Sequence, residues 1–207
     1  MPDVHVPTLE GHGRGKTALR IVLEVTLIGV GVFLGLLGEQ WRENAHQREL
    51  AKASLRRFRA EIIENRSSVA AVADYHAALR KELQPVFDGH EGASLNGIHF
   101  QGVEPATFDR SAWDLAIATQ SLAYIDPDLA LSLANIYNAQ NRIADLTRGV
   151  LQAAYASPPV NDSNSMTFFG SVLIYYGDMI VQEPRLLAMY DAVLPKIDAA
   201  LGEKTSR

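Results

Sequence analysis

Ile21-Val-Leu-Glu-Val-Thr-Leu-Ile-Gly-Val-Gly-Val-Phe-Leu-Gly-Leu-Leu-Gly38 is the stretch whose reading decides the fold. Its one charge is Glu24. A helix needs ~17–25 apolar residues to cross a hydrocarbon core of ~30 Å. With Thr17, Ala18 and Leu19, and with Arg20 snorkelling outward, residues 17–38 are expected to span a bilayer. A cleaved signal peptide is the rival. Its apolar core runs to only ~7–15 residues before a small-residue cleavage site, whereas here Glu39-Gln-Trp-Arg-Glu follows. Trp41 suits the interfacial aromatic position, so an uncleaved anchor is the better reading. On a helix Glu24, Ile28, Gly31, Gly35 and Gly38 share one face, and Gly31-Val-Phe-Leu-Gly35 is a small-xxx-small pattern that lets a second helix approach. This face is the candidate packing site for a second copy. Glu24 has two readings: a carboxylate near the headgroups paired with Arg20, or a buried intersubunit carboxylate.

Beyond the span, residues 39–84 read as a continuation of the same helix in water. Leu55, Phe58, Ile62, Asn65, Val69, Val72, His76, Leu79 and Leu83 alternate steps of three and four, a coiled-coil-like heptad seam with two polar insertions. Glu39, Glu43, Arg57, Glu61, Glu64 and Arg66 lie off it, with Arg57 and Glu61 spaced as an i,i+4 pair. A continuous helix from Thr17 to Leu83 would be roughly 100 Å long at 1.5 Å per residue. It needs a cover for its seam: the rest of the chain, a copy of itself, or both. Asn65 reads as a register-setting residue and His76 as a core or edge histidine rather than a ligand or switch.

The remaining segments follow from local signals. Residues 1–16 carry prolines and glycines without apolar period and are expected to be a disordered tail. Gly11-His-Gly-Arg-Gly-Lys-Thr17 fails as a phosphate loop, because Glu10 stands where the first glycine belongs and no strand precedes it. Pro85 is expected to end the long helix, and residues 85–110 form a glycine-rich loop. Its His90, Glu91 and His99 match no standard metal spacing. Ser111-Ala-Trp-Asp114 reads as a capping box opening a helix through about Ala123. Asp126-Pro127 opens a second, through about Ala154, with Leu129, Leu133, Ile136, Ile143 and Val150 inward. A third helix is expected over Met166–Val181, and a last one from Pro184 with Leu187, Tyr190, Leu194, Ile197 and Leu201 inward, kinked at Pro195. The fold class is therefore all-α: a single N-terminal transmembrane helix continuing into a long helix, with a bundle over 111–203 packing on 55–83.

Composition excludes several functions. The absence of cysteine removes disulfides, thiolate catalysis and cysteine metal sites. A net charge of -5 argues against nucleic acid as a partner. There is no nucleophile elbow, paired-histidine metal motif or dinucleotide fingerprint, so no catalytic residue, cofactor or metal is assigned and the chain is not read as an enzyme.

The chain resembles the bacterial single-span membrane proteins grouped only as a domain of unknown function. The resemblance rests on Glu24, Gly29, Gly31 and Gln40-Trp41-Arg42-Glu43-Asn44, then on Ser111-Ala-Trp113 and Leu133-Ala-Asn-Ile-Tyr137, and covers residues 17–140. The chain departs from the pattern at Gly35 and Gly38, where bulkier residues are expected. The resemblance implies membrane location and no established activity.

Together these readings give an expectation: a membrane-anchored helical interaction or scaffold protein. Its expected partners are the lipid bilayer, a second copy through the span and long helix, and a protein still to be identified. A ligand-sensing helical domain relaying through a partner is the alternative. Arg14, Lys16 and Arg20 favour a cytoplasmic N-terminus, and a long following domain translocates regardless of charge, so a periplasmic C-terminal domain at the bacterial inner membrane is expected.

Overall fold

The computed structural model describes residues 14–156 and 158–202, with side chains from residue 23 onward. Among these residues the chain is all-helical: α1 (Arg14–Phe87), α2 (Ser111–Ala118), α3 (Pro127–Ala156) and α4 (Asp162–Leu201), with 3-10 turns at Leu95–Gly97 and Ser121–Tyr124. Two compact units divide at Arg48 and Glu49, ten residues beyond the expected end of the span. The tail expected over 1–16 lies outside the described residues as far as 13, and from Arg14 the chain is already helical.

Among the described residues of the first unit α1 is the only element. Leu23, Leu27, Ile28, Phe33 and Leu36 are all at least 60% exposed, which no water-soluble helix sustains over such a run. Where charges resume, the helix is laced by its own side chains: Arg42 donates to Glu39 at 3.0 Å, Gln40 to Asn44 at 3.1 Å and Gln47 to Glu43 at 3.0 Å.

The second unit is built on the seam. Leu55, Phe58, Ile62, Asn65, Val69, His76, Leu79 and Leu83 are buried and Val72 is half-buried, so the heptad pattern marks the face that this unit covers with its own helices. Helices α1 and α4 run antiparallel in a seven-residue register. Arg59 pairs with Asp198 at 2.6 Å and Arg66 with Asp191 at 2.7 Å; further along, the Arg80 guanidinium lies over Gly177 and the Phe87 ring over Gly170. At Gly170 an added Cβ would stand 3.3 Å from the Phe87 ring, so glycine there is what admits the aromatic. Helix α3 pairs with α4 through Gln140 donating to the Tyr190 hydroxyl at 2.8 Å and Thr147 meeting the Tyr175 hydroxyl at 3.1 Å.

Several boundaries differ from expectation. Helix α1 passes through Pro85 to Phe87, because the packing of Phe87 on Gly170 extends the seam one turn, and Gly89 (φ 72°) then turns the chain away. Ser111 is not a capping residue: it is the first residue of α2, and Asp109 receives its N–H at 2.9 Å. That helix stops at Ala118, because Gln120 takes a left-handed φ of 56° before the 3-10 turn. Asp126 does cap α3, accepting from the backbone of Asp128 and Leu129, and the five expected apolar positions are buried. The two expected C-terminal helices are one. Asn161 caps α4 by accepting from the Asn164 N–H at 2.9 Å, and the helix runs unbroken through Pro184 and Pro195, both of which face solvent. The buried stripe Val172, Tyr176, Met179, Glu183, Leu186, Tyr190, Val193, Ile197 keeps helical phase across Pro184. Of the expected inward residues, Tyr190 and Ile197 are buried, while Leu187, Leu194 and Leu201 sit half-buried at the edge.

Pro184 therefore costs α4 the hydrogen bond to the Ile180 carbonyl without giving packing in return. Pro184→Ala should raise the unfolding free energy of the full chain by about 2 kcal/mol, the helix-interior difference less the unfolded-chain entropy that proline removes. Urea denaturation in detergent micelles measures this; an unchanged or lower midpoint contradicts a continuous packed α4.

Candidate membrane face and buried polar locks

The first site is the face predicted on the span. Gly29, Gly31, Gly35 and Gly38 have open space where a Cβ would stand, and Ile28 is 67% exposed. Glu24 belongs to the same helical stretch and Trp41, 80% exposed, follows it by one turn beyond Gly38. Nothing in the described residues covers the apolar run, which is the one stretch long and apolar enough to cross a membrane.

The second site was not visible as a site in the sequence. The segment after α1 folds back along that helix as a strap, held by side chains that take up its main-chain groups. In order, the His99 N–H donates to Glu82 at 3.0 Å, the Gln101 N–H to the Tyr75 hydroxyl at 3.0 Å and the Thr107 N–H to Ser68 at 2.9 Å. Asn65 then clasps Asp109 twice, accepting its N–H at 2.8 Å and donating to its carbonyl at 2.7 Å. An irregular segment must satisfy its buried backbone groups somewhere, and α1 supplies the partners. Asn65 thus fixes the strap rather than a helix register. Glu61, expected on the outside and beside Arg57, is buried instead. It accepts from the Ala112 N–H at 2.7 Å, from the Ser111 hydroxyl at 3.1 Å and from the Tyr137 hydroxyl. Burial first, and the hydrogen bond to Glu61 next, push the Tyr137 phenol well above its ordinary range.

At the middle of the strap lies His76, fully buried. Its Nδ1 meets Glu183 Oε1 of α4 at 2.6 Å, while its Nε2 faces the strap carbonyls of Glu104 at 3.0 Å and Val103 at 3.3 Å. The imidazole stacks on Tyr176 with ring centroids 4.8 Å apart, and the Tyr176 hydroxyl donates to the Gly102 and Val103 carbonyls. Tyr75 donates to the Gly102 carbonyl at 2.7 Å. Carbonyls only accept, so a proton on Nε2 would satisfy that side, and the 2.6 Å contact at Nδ1 suits a second proton between the ring and Glu183.

The strap's outer anchors are carboxylates. The backbone N–H of His99 holds Glu82 below its usual range, and the backbone N–H of Ser111 does the same for Asp109. Both contribute stability that is complete above the unfolded value, about 4, and is lost as the pH falls through the lowered folded value. His99 also sits 3.4 Å from Glu82. His90 and Glu91 are exposed, and no group of three potential metal ligands comes together among the described residues. Of the aromatic residues, Tyr137, Tyr175, Tyr176 and Tyr190 are core, Trp113 stacks on Tyr137 at 4.9 Å, and Tyr124 and Tyr155 are exposed.

Between α3 and α4 lies an open groove of about 580 Å³, floored by Leu146, Val150, Ala153 and Ile174. No family model matches the chain, and neither a curated protein nor a solved structure matches it.

Because every partner of Glu61 is a donor, its amide isostere is a poor replacement. Glu61→Gln leaves one oxygen for three donors, so at least one of them loses its acceptor, and should lower the unfolding free energy by about 1–3 kcal/mol, whereas the exposed Glu64→Gln should stay within about 0.5 kcal/mol. Equal midpoints for the two variants in chemical denaturation would contradict the donor arrangement around Glu61.

Proposed function

We propose that the chain is a single-pass, membrane-anchored helical interaction module that self-associates through its span. The observation that carries this reading is the contrast between the two units. The second buries its apolar seam against its own helices. The first leaves every large apolar side chain from Leu23 to Leu37 at least half exposed, beside glycines with open space around them. Such a stretch is stable in hydrocarbon and not in water. With the seam already covered, the contact between copies falls on Glu24, Ile28, Gly31, Gly35 and Gly38, where small residues let backbones approach. The second unit is then the part offered to a protein partner. The bilayer is the bacterial inner membrane, with the tail basic residues in the cytoplasm and the second unit in the periplasm. This reading fits the resemblance to single-span proteins of unknown function and assigns no chemistry.

The chain has no cysteine, so a single Gly35→Cys substitution reports on the face without background. Oxidation of membranes carrying it should trap a disulfide dimer, while the same substitution at Val32, off the glycine face, should trap far less. Monomer alone at both positions contradicts self-association. A reporter active only in the periplasm, fused after Arg207, should be active in this orientation; its silence reverses the topology.

A further inference from the structure

We propose that the His76–Glu183 pair is a proton-operated latch that holds the middle of the strap, Gln101–Ala106, against α1 and lets it go when the shared proton is lost. His76 is surrounded by three acceptors, the Glu183 carboxylate on Nδ1 and the Val103 and Glu104 carbonyls on Nε2. With two protons on the pair, each nitrogen satisfies its side. With one, the ring must choose. A carboxylate makes the stronger, charge-assisted bond, so the proton stays on Nδ1 and the Nε2 lone pair is turned toward two carbonyl oxygens. That arrangement is repulsive, takes the Glu104 carbonyl's donor away and leaves the Val103 carbonyl with the Tyr176 hydroxyl alone.

The strap is built to leave at this point. Gly102 (φ 134°) and Glu104 (φ 43°) flank Val103, and a non-glycine residue at positive φ is strained until the segment is released. The buried apolar anchors of this part are small, Val103 and Ala106. Other titratable groups do not compete for the role. Tyr175 and Tyr176 of α4 pack on the imidazole and burial raises both phenols, so they stay protonated. Tyr75 of α1 packs on the ring from its own helix and Arg80 follows one turn on. From the strap the Glu104 carboxylate lies near enough to Tyr176 to raise it further. Release would bare the Tyr75 and Tyr176 hydroxyls together with His76, a set of hydrogen-bonding groups now filled by the chain's own carbonyls.

Hydrogen exchange of the full chain in detergent micelles tests this, scanned from the acid to the alkaline limit of the folded state. After correction for intrinsic rates, peptides covering Gln101–Ala106 should exchange about tenfold faster at the upper end, the effect of losing one buried hydrogen bond. Peptides from the α3 core should not change. In Glu183→Gln the amide donates to Nδ1 and the single ring proton stays on Nε2, so the acceleration should vanish. Imidazole nitrogen shifts of the unmodified chain give an independent reading: both nitrogens protonated at the lower end, Nδ1 alone at the upper. A strap whose corrected exchange ignores pH, an undiminished acceleration in Glu183→Gln, or retention of the Nε2 proton throughout would each overturn the latch.

Discussion

Everything in the second unit depends on one constraint: the inner face of α1 from Leu55 to Phe87 must be covered, and that face is not uniformly apolar. Its apolar positions are met by α3 and α4, which offer side chains of matching kind. Asn65, Ser68, Tyr75 and Glu82 are met by the strap, which offers backbone groups. The two covers lie on different lines of the same heptad. Glu61, Ser68, Tyr75 and Glu82, each seven residues on from the last, hold the strap and the start of α2. Arg59, Arg66, Arg80 and Phe87 face α4. A seven-residue repeat keeps each line straight along the helix, which is why one helix can serve as spine for two unlike neighbours.

That arrangement explains what could be read in advance. The apolar seam was legible because Leu, Ile, Val and Phe at steps of three and four have few other meanings. The opening of α3 was legible because Asp126-Pro127 carries both a side-chain cap and a fixed φ. The continuity of α4 was not, because the residue that keeps the stripe in phase across Pro184 is Glu183, a charge that no apolar pattern counts. Its burial is explained by His76 on another helix, far away in sequence. Glu61 was misplaced for the same reason, its donors Ala112, Ser111 and Tyr137 being invisible from α1 alone. The strap has no pattern because it is held through its backbone. The trace it does leave is the heptad line of polar residues on its partner. On the span, the glycines read as one face have open space around them.

The functional reading rests on this division of labour within one helix. The part of α1 that is covered by its own chain needs no further partner to be stable. The part before it, apolar and uncovered, needs a different solvent. On the proposed reading the uncovered half is the anchor and the covered half the folded module, which the buried locks keep in one packing arrangement. The His76 latch adds a point at which that packing responds to its surroundings.

A single-cysteine scan along α1 in native membranes, read by an aqueous maleimide, measures the central claim most directly. From residue 23 to 38 every position should be shielded whatever face it occupies. From 55 to 83 the shielding should follow the seam, with Leu55, Phe58, Ile62, Val69 and Leu79 protected and Arg56, Ala60, Ile63 and Ala70 labelled. Labelling on one face between 23 and 38, or uniform labelling through the seam, would contradict it.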